Sequence, residues 1–362
     1  MTIAANSSPP AQAVPLPTSR RVDVELARVV AVVMVMTIHV AAGAIGFGLT
    51  THNQSGTYLA AIVLNALARP GAPVFLAIAG WALLKRRPGT NEEAWLGRRM
   101  ARLLVPLGLW GLLYIGQFVA KAAIYHTTPW LKLAPGDWLL RELTLTIAGP
   151  GVRPHLWFMY ALAGLTLAIW LARAVPRELT LRPTVVYAAA AIGLLMLFGL
   201  PAPFVAPYLQ GFVWTLGYAA LGYVVLEAKT PPLPIALVLY VAASVLLVVA
   251  GLTLGPNSWA YSYPGPLTVT STIGLLWVIR GVRVPAQVVP IVLIAGGLTF
   301  GVYLSHLLIL DYLGVVSSTP GALLYGLSRS ANLAYLIVAT VVISFVITWL
   351  WHRSRKLSFL LG

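Results

Sequence analysis

Ten apolar runs, each close to the length of a membrane span, follow one another along this chain. A transmembrane helix needs about 20 mostly apolar residues. A soluble domain carries about a quarter charged residues, whereas only 9% of these residues are charged and the mean hydropathy is +0.86. The sequence therefore predicts an all-α fold, a polytopic membrane helix bundle of about ten transmembrane helices. The runs cover residues 24–48, 58–84, 103–125, 156–174, 184–200, 207–226, 233–254, 264–280, 286–313 and 331–352.

Most of the 24 Lys and Arg residues fall in alternate connections between these runs. Basic residues in short loops are retained on the cytoplasmic side of a membrane. The pattern therefore predicts an even number of spans with both termini cytoplasmic. It also accounts for the net charge of +15 without a nucleic-acid partner. The absence of cysteine excludes disulfides, thiolate catalysis and Cys-based metal sites.

The chain divides into a short tail and one membrane domain. Residues 1–19 are rich in Ala, Pro and Ser and have no apolar core, which predicts a disordered cytoplasmic tail rather than a signal peptide. Residues 20–356 form the predicted membrane domain. The connection 254–266 supplies Trp and Tyr suited to the membrane interface. No internal repeat is evident, which weakens a transporter built from inverted repeats without removing it.

The first run carries Arg28 and His39 within an apolar segment. Eleven residues at 3.6 per turn place the two on one helix face, about 16 Å apart along the axis. Charged and ionisable groups at membrane depth usually face the bundle interior or a wet cavity. An imidazole there is suited to accept and return a hydroxyl proton. The alternative is a polar residue that packs two helices together.

Arg69 precedes Pro70, Gly71 and Pro73 in the second run, at a depth similar to that of His39. A permanent guanidinium in a membrane needs an anionic or strongly dipolar partner. The prolines are expected to break the helix and to free backbone groups that can line a cavity. Arg69 is therefore either a site residue or a structural residue bonded to the freed carbonyl groups.

The outer half of the predicted bundle holds a second set of polar residues. His155 and Trp157 open the fourth run, where both are also usual interface residues. In the ninth run Tyr303 and His306 share a helix face. Asp311 is expected either to orient a histidine or, more simply, to meet water at the end of the span.

The topology accounts for the basic residues at the predicted cytoplasmic side, and these residues also suit a phosphate-rich ligand. Arg98, Arg99 and Arg102 lead into the third span, and arginine binds phosphate through paired N–H groups. Other chemistries have little support. The spans hold no paired carboxylates for glycoside hydrolysis, no HExxH-like metal motif and no phosphate-binding GxxxxGK[ST] loop. We expect no bound metal.

Four segments in order resemble the acyltransferase type 3 family of bacterial membrane O-acyltransferases. They are Arg28 and His39 in an R-x10-H spacing, RPGAPVFLAIAGWALLK from residue 69, HLWFMYALAG from residue 155 and TFGVYLSHLLIL from residue 299. The resemblance runs from about residue 20 to residue 355. The family pattern usually has a Ser-Gly pair where this chain has Ala79 and Gly80. Many relatives add an extracellular esterase-like domain, so a chain ending at Gly362 is expected to be the stand-alone type.

The resemblance implies transfer of an acyl group, usually acetyl from acetyl-CoA, to a hydroxyl of a surface or lipid-linked saccharide in a bacterial plasma membrane. The family's essential Arg and His correspond to Arg28 and His39, and the Arg before its VPVFF-like motif corresponds to Arg69. Its later motifs correspond to His155, Trp157, Tyr303 and His306. We expect the phosphates of the donor at Arg98, Arg99 and Arg102, and the thioester at His39, acting as general base or acyl carrier. Arg69 would stabilise the oxyanion.

Two other classes of function are considered. A secondary transporter or flippase for an anionic or saccharide-lipid substrate would use Arg28 and Arg69 as substrate ligands. Ion coupling in such proteins usually needs ionisable groups at mid-membrane, and no acid lies there. A purely structural scaffold does not explain the two arginines within the membrane spans.

Overall fold

The computed structural model describes residues 21–50, 56–85, 91–125, 154–174, 183–199, 207–318 and 329–354. The predicted tail, residues 1–19, lies outside them. Every regular element in this part is a helix, which confirms the predicted fold class. The α-helices are α1 (Val22–Thr50), α2 (Gly56–Ala68), α3 (Gly71–Lys85), α4 (Glu92–Tyr125), α5 (Trp157–Ala174), α6 (Pro183–Gly199), α7 (Pro207–Glu227), α8 (Leu233–Thr253), α9 (Pro266–Gly281), α10 (Val289–Ser318) and α11 (Arg329–Arg353). Two single turns of 3₁₀ helix cover Pro154–Leu156 and Trp259–Tyr261.

Each predicted apolar run contains a helix. Six stretches of the described chain are long and apolar enough to cross a membrane: Val22–Gly46, Gly56–Lys85, Glu92–Gln117, Leu233–Thr253, Val289–Gly314 and Asn332–Arg353. Shorter apolar helices occur at Trp157–Ala172, Val186–Leu195 and Val213–Glu227. The number of crossings and the cytoplasmic location of the termini stay predictions.

α4 begins at Glu92, well before the apolar run predicted from residue 103. Its first turns carry acidic and basic residues, so a hydropathy pattern does not reveal them. The side-chain oxygen of Asn91 accepts a hydrogen bond from the backbone N–H of Ala94 at 2.8 Å. This is the usual arrangement at a helix N-cap, and it fixes where α4 starts.

α1 is the central helix of the bundle, and α2, α3, α9, α10 and α11 all pack against it. Its buried face carries small residues such as Ala27 and Ala31, which are 2% and 0% exposed. Gly71, the first residue of α3, lies so close to α1 that a Cβ atom there would come within 2.8 Å of the Met34 Cβ atom. The start of α3 is therefore held directly against α1.

The helix predicted over residues 58–84 is broken, as its prolines lead one to expect. α2 ends at Ala68 and α3 begins at Gly71, with Arg69 and Pro70 forming the turn between them. Proline has no backbone N–H and its ring clashes with the preceding turn of a helix. The carbonyl of Pro70 instead accepts the first bond of α3, from the N–H of Val74 at 2.9 Å. Arg69 thus lies between two half-helices.

α3 and α7 approach each other closely through small residues. A Cβ atom on Gly222 of α7 would overlap the carbonyl group of Ala77, and one on Gly80 of α3 would overlap the backbone of Ala219. Interfaces of this kind are typical of membrane helices, where close backbone approach supplies the packing energy. These contacts hold α3 against α7 at Ala77 and Gly80.

Several basic residues at the predicted cytoplasmic end already have partners. Lys85 Nζ lies 2.7 Å from Oε1 of Glu227, which also accepts a hydrogen bond from the indole of Trp81. Arg280 donates to the carbonyl oxygen of Val225 at 2.6 Å. Arg21 pairs with Asp23, and this hydrogen bond raises the pKa of the Arg21 guanidinium. These residues tie helix ends together.

Candidate active site

Three histidines from distant parts of the sequence meet in the bundle. His39 lies on α1, His155 in the 3₁₀ turn before α5, and His306 on α10. The ring centroid of His306 is 5.2 Å from that of His39 and 5.3 Å from that of His155. The centroids of His39 and His155 are 6.2 Å apart. His155 and His306 are buried, whereas His39 is partly exposed.

Tyr303 connects the His155 turn to α10. Its hydroxyl donates a hydrogen bond to the carbonyl oxygen of His155. Its own carbonyl oxygen lies 2.6 Å from Nδ1 of His306. The ring of Tyr114, on α4, meets the edge of His155 at 5.3 Å between centroids, and its hydroxyl donates to the carbonyl of Leu304 at 2.7 Å. Two helices therefore hold the buried histidines in place.

Asp311 does not orient His306. Its carboxylate accepts a hydrogen bond of 3.3 Å from the side-chain amide of Gln117 on α4. Nδ1 of His306 bonds the Tyr303 carbonyl instead. The pairing of Asp311 with His306 that the sequence left open is therefore not formed.

A small pocket of about 40 Å³ opens beside His39. Its polar lining comes from His39, His155 and Tyr303, and its other walls are apolar or aromatic. The remaining lining residues are Val35, Ile38, Ala72, Phe75, Trp157, Phe158 and Tyr263. His39 is the histidine that combines pocket contact with partial exposure, so it is the group best placed to meet a bound molecule.

One wall of the pocket is built from stacked aromatic rings. Trp214 stacks on Tyr263 with centroids 5.5 Å apart and an angle of 20° between the rings. Trp157 contacts both of them, at 5.5 Å from Trp214 and 6.2 Å from Tyr263. The Tyr218 hydroxyl donates to the carbonyl of Tyr263 at 2.7 Å. Sequence analysis placed Trp157 in the site but assigned the segment containing Tyr263 to the membrane interface.

Arg69 lies directly behind this wall. Its guanidinium carbon is 4.3 Å from the centroid of Tyr263 and 4.9 Å from that of Tyr261. Burial raises the pKa of Tyr261 to about 12, so this partner is a neutral ring and the contact is a cation–π interaction. The Arg69 Nε atom is buried and has no hydrogen-bond partner in the described part of the chain. Arg69 is thus stacked on aromatic rings and does not itself line the pocket.

Arg28 belongs to a different cluster, nearer the predicted cytoplasmic end. Its Nη1 atom lies 3.3 Å from Oε2 of Glu25, one helical turn earlier. Arg99 on α4 is close enough to Arg28 and Arg102 to be repelled by both. The Arg99 Nε atom is buried without a hydrogen-bond partner among the described residues. Arg98 is exposed at the surface of the same helix.

The structure therefore separates the predicted site residues into two groups. His39, His155, Trp157, Tyr303 and His306 surround or support the pocket, with Arg69 behind it. Arg28, Arg99 and Arg102 form the basic cluster about 16 Å away along α1, from the rise of 1.5 Å per residue. No group of three or more His, Asp and Glu side chains in the described chain is arranged to hold a metal ion.

Comparison with known families identifies the scaffold that carries this site. A family model described as "Acyltransferase domain" matches residues 21–349, nearly the whole chain. No curated protein and no solved structure gives a match. The matched stretch includes the pocket, the three histidines and the basic cluster. This chain is a member of the acyltransferase type 3 family, a multi-pass membrane protein of the acyltransferase class.

Proposed function

We propose that this acyltransferase moves a short acyl group, with acetyl as the preferred one, from acyl-CoA to a hydroxyl of a surface or lipid-linked saccharide. The proposal places it in a bacterial plasma membrane. One observation carries it: His39 is a partly exposed imidazole at the edge of a small apolar pocket, backed by two buried histidines. Such an imidazole is suited to proton or acyl transfer in a site that excludes water.

The donor is proposed to enter from the cytoplasmic side. Arg99 and Arg102 on α4 lie beside Arg28, which is paired with Glu25, and Arg99 keeps a buried N–H without a partner in the described chain. Lys85, Arg21 and Arg280 of the same end are already bonded to acids or carbonyl groups. The α4 cluster is therefore the more suitable for phosphate. The pantetheine arm would bridge the distance of about 16 Å to His39.

The size of the pocket supports a short acyl chain. A cavity needs about 10–15 Å³ to hold one water molecule. A pocket of about 40 Å³ thus holds roughly three, comparable to an acetyl group. Phe75, Phe158 and Ile38 give it apolar surface, which suits the methyl group of a short acyl chain.

Two routes of transfer fit this geometry. In the direct route, His39 takes the proton of the acceptor hydroxyl, the oxygen attacks the thioester carbon, and the C–S bond breaks as the ester forms. The proton then passes from His39 to the departing thiolate. In the relay route, a His39 nitrogen attacks the thioester carbon, the C–S bond breaks, and the thiolate leaves with the N–H proton of the acylated ring. The acceptor hydroxyl then attacks the acyl carbon, and its proton passes to the imidazole as the C–N bond breaks. Both routes begin and end with a neutral imidazole.

The test is acyl transfer by the purified full chain in nanodiscs. Labelled acetyl-CoA is supplied with a glycolipid extract from bacterial envelopes, and thiol release and label on the glycolipid are followed. Butyryl- and octanoyl-CoA are compared at equal concentration. We expect transfer of acetyl and a steep fall in kcat/KM with chain length. Folded protein that binds acetyl-CoA but neither releases thiol nor labels any acceptor would contradict the proposal.

Arg69→Met tests the charge behind the aromatic wall. The guanidinium acts on the pocket across the ring of Tyr263, so its removal withdraws positive potential from the place where the oxyanion develops. We expect kcat for acetyl transfer to fall by about 10- to 100-fold. Arg69→Lys keeps the charge and should recover part of the loss. Equal activity of the wild type and the Met variant would show that Arg69 is structural.

Arg99→Gln tests the donor site. Loss of one charged phosphate contact should raise KM for acetyl-CoA by about tenfold with little change in kcat. The matched control is Arg353→Gln, an exposed arginine at the end of α11 that stacks on Trp349. The control should leave KM unchanged. If both variants behave alike, the α4 cluster does not bind the donor.

A further inference from the structure

We propose that His306 is a positioning residue: its Nε2 atom accepts an N–H from His39 and so fixes which His39 nitrogen faces the pocket. The inference rests on the proposed role of His39 in acyl transfer. It gives His306 a different task from the acceptor binding that the sequence predicts. His306 is fully buried and is not among the residues that line the pocket. It is placed to act on another residue rather than on a substrate.

The protonation of His306 follows from one hydrogen bond. Its Nδ1 atom lies 2.6 Å from the carbonyl oxygen of Tyr303. A carbonyl oxygen only accepts, so Nδ1 must carry the proton. In the neutral ring the other nitrogen, Nε2, is then an acceptor with a lone pair. Tyr303 is itself held by the bond from its hydroxyl to the carbonyl of His155, so the tautomer of His306 is built into the fold.

Because the Nε2 atom of His306 is a buried acceptor, a hydrogen-bond donor beside it is favourable. This nitrogen is buried and makes no hydrogen bond in the described part of the chain. A buried acceptor left without a hydrogen bond destabilises the folded protein. An uncharged acceptor can be buried without a counter-ion, in contrast to a carboxylate. A nearby N–H donor would remove this destabilisation.

His39 is the neighbour best placed to supply that donor. Its ring centroid lies 5.2 Å from that of His306 with the rings tilted by 37°. This separation suits an N–H···N bond of ordinary length between two imidazoles. His39 also has the freedom to turn, because it is partly exposed at the pocket and the second side-chain torsion of histidine is broad. His155 lies at a similar distance, but it is buried and meets His306 at 82°.

The bond would decide the chemistry of His39. With one nitrogen donating to His306, the opposite nitrogen carries the lone pair and faces the pocket. When it takes the hydroxyl proton, the resulting imidazolium keeps its bond to Nε2, and His306 gains no proton. The proton returns to the thiolate by the same nitrogen. His306 therefore orients and stabilises the base without entering the reaction.

The test reads the tautomer of His39 directly. The full chain is prepared in nanodiscs with ¹⁵N-labelled histidine, and the ring nitrogens of its six histidines are recorded by NMR. His39→Gln and His306→Gln assign the two rings, and His352→Gln, at an exposed position, serves as the spectral control. We expect His306 in the Nδ1–H form and His39 in a single tautomer. In His306→Met, His39 should become a mixture of both tautomers.

Activity gives a second, independent readout. His306→Met should lower kcat by about 10- to 100-fold with little change in KM for acetyl-CoA. His306→Gln retains an acceptor oxygen and should recover most of kcat. Thermal melting of each variant separates this effect from misfolding. A His39 tautomer that His306→Met leaves unchanged, or a His155 ring that responds in its place, would overturn the inference. If the wild type transfers no acyl group, the proposed function fails while the spectra still decide the His39–His306 pair.

Discussion

Replacing His39 with Ala is expected to lower kcat for acetyl transfer by about 10²- to 10⁴-fold. The substitution removes the pocket imidazole that would serve either as general base or as acyl carrier. Binding of acetyl-CoA should persist, because the basic cluster lies about 16 Å away along α1. The measurement is steady-state thiol release in nanodiscs together with a dissociation constant for acetyl-CoA.

His352→Ala is the matched control for this experiment. His352 is exposed in the last turn of α11, so it should keep the wild-type rate. Quenching the wild type during turnover separates the two routes: label on the protein that disappears in His39→Ala indicates the relay, and its absence indicates direct transfer. If His39→Ala transfers acetyl at the wild-type rate, both routes are wrong.

The second large effect is expected at Gly222, on stability. A methyl group there would overlap the carbonyl of Ala77, which belongs to the backbone of α3 and has no flexible side chain to move aside. Gly222→Ala should therefore destabilise the bundle by about 2–3 kcal/mol, as overpacking of a close contact does. It should also impair transfer at permissive temperature, because α3 carries Ala72 and Phe75 of the pocket wall.

Gly108→Ala is the control for Gly222→Ala. It adds the same methyl group to α4 at a place where, apart from the helix's own backbone, no atom of the described residues lies within 4 Å. It should be neutral or slightly stabilising, by up to about 1 kcal/mol, because alanine favours the helix over glycine. Thermal inactivation of both variants in the same nanodiscs is the measurement. Similar half-lives for the two variants would show that α3 and α7 can move apart without loss of stability.

The helices could be predicted from the sequence, but their contacts could not. Apolar runs mark membrane helices because the bilayer demands length and hydropathy, and the proline at residue 70 marks the break between Ala68 and Gly71. Lipid-facing and protein-facing surfaces are both apolar, so no amphipathic pattern shows which faces meet. The contact between Gly222 and Ala77 could therefore not be predicted from the sequence. The start of α4 was missed because its first turns are charged.

The site was predicted as a set of residues without their arrangement. Residue chemistry and then family motifs singled out His39, His155 and His306. Only the packing of α1, α10 and the 3₁₀ turn before α5 shows that their rings lie together. Tyr263 was missed because an aromatic residue in a connection is most simply an interface residue. Its stacking on Arg69 joins positions far apart in the sequence, and no local spacing rule reports such a contact.

Because the three histidines lie far apart in the sequence, the candidate site can assemble only late in synthesis. His39 is translated near the beginning, and His306 follows about 270 residues later. At ~5–20 residues per second this interval lasts tens of seconds. Until α10 packs against α1, His39 lacks its contact with His306, and the pocket lacks the part of its lining that Tyr303 supplies. The contact between His39 and His306 can therefore form only after α10 has been translated.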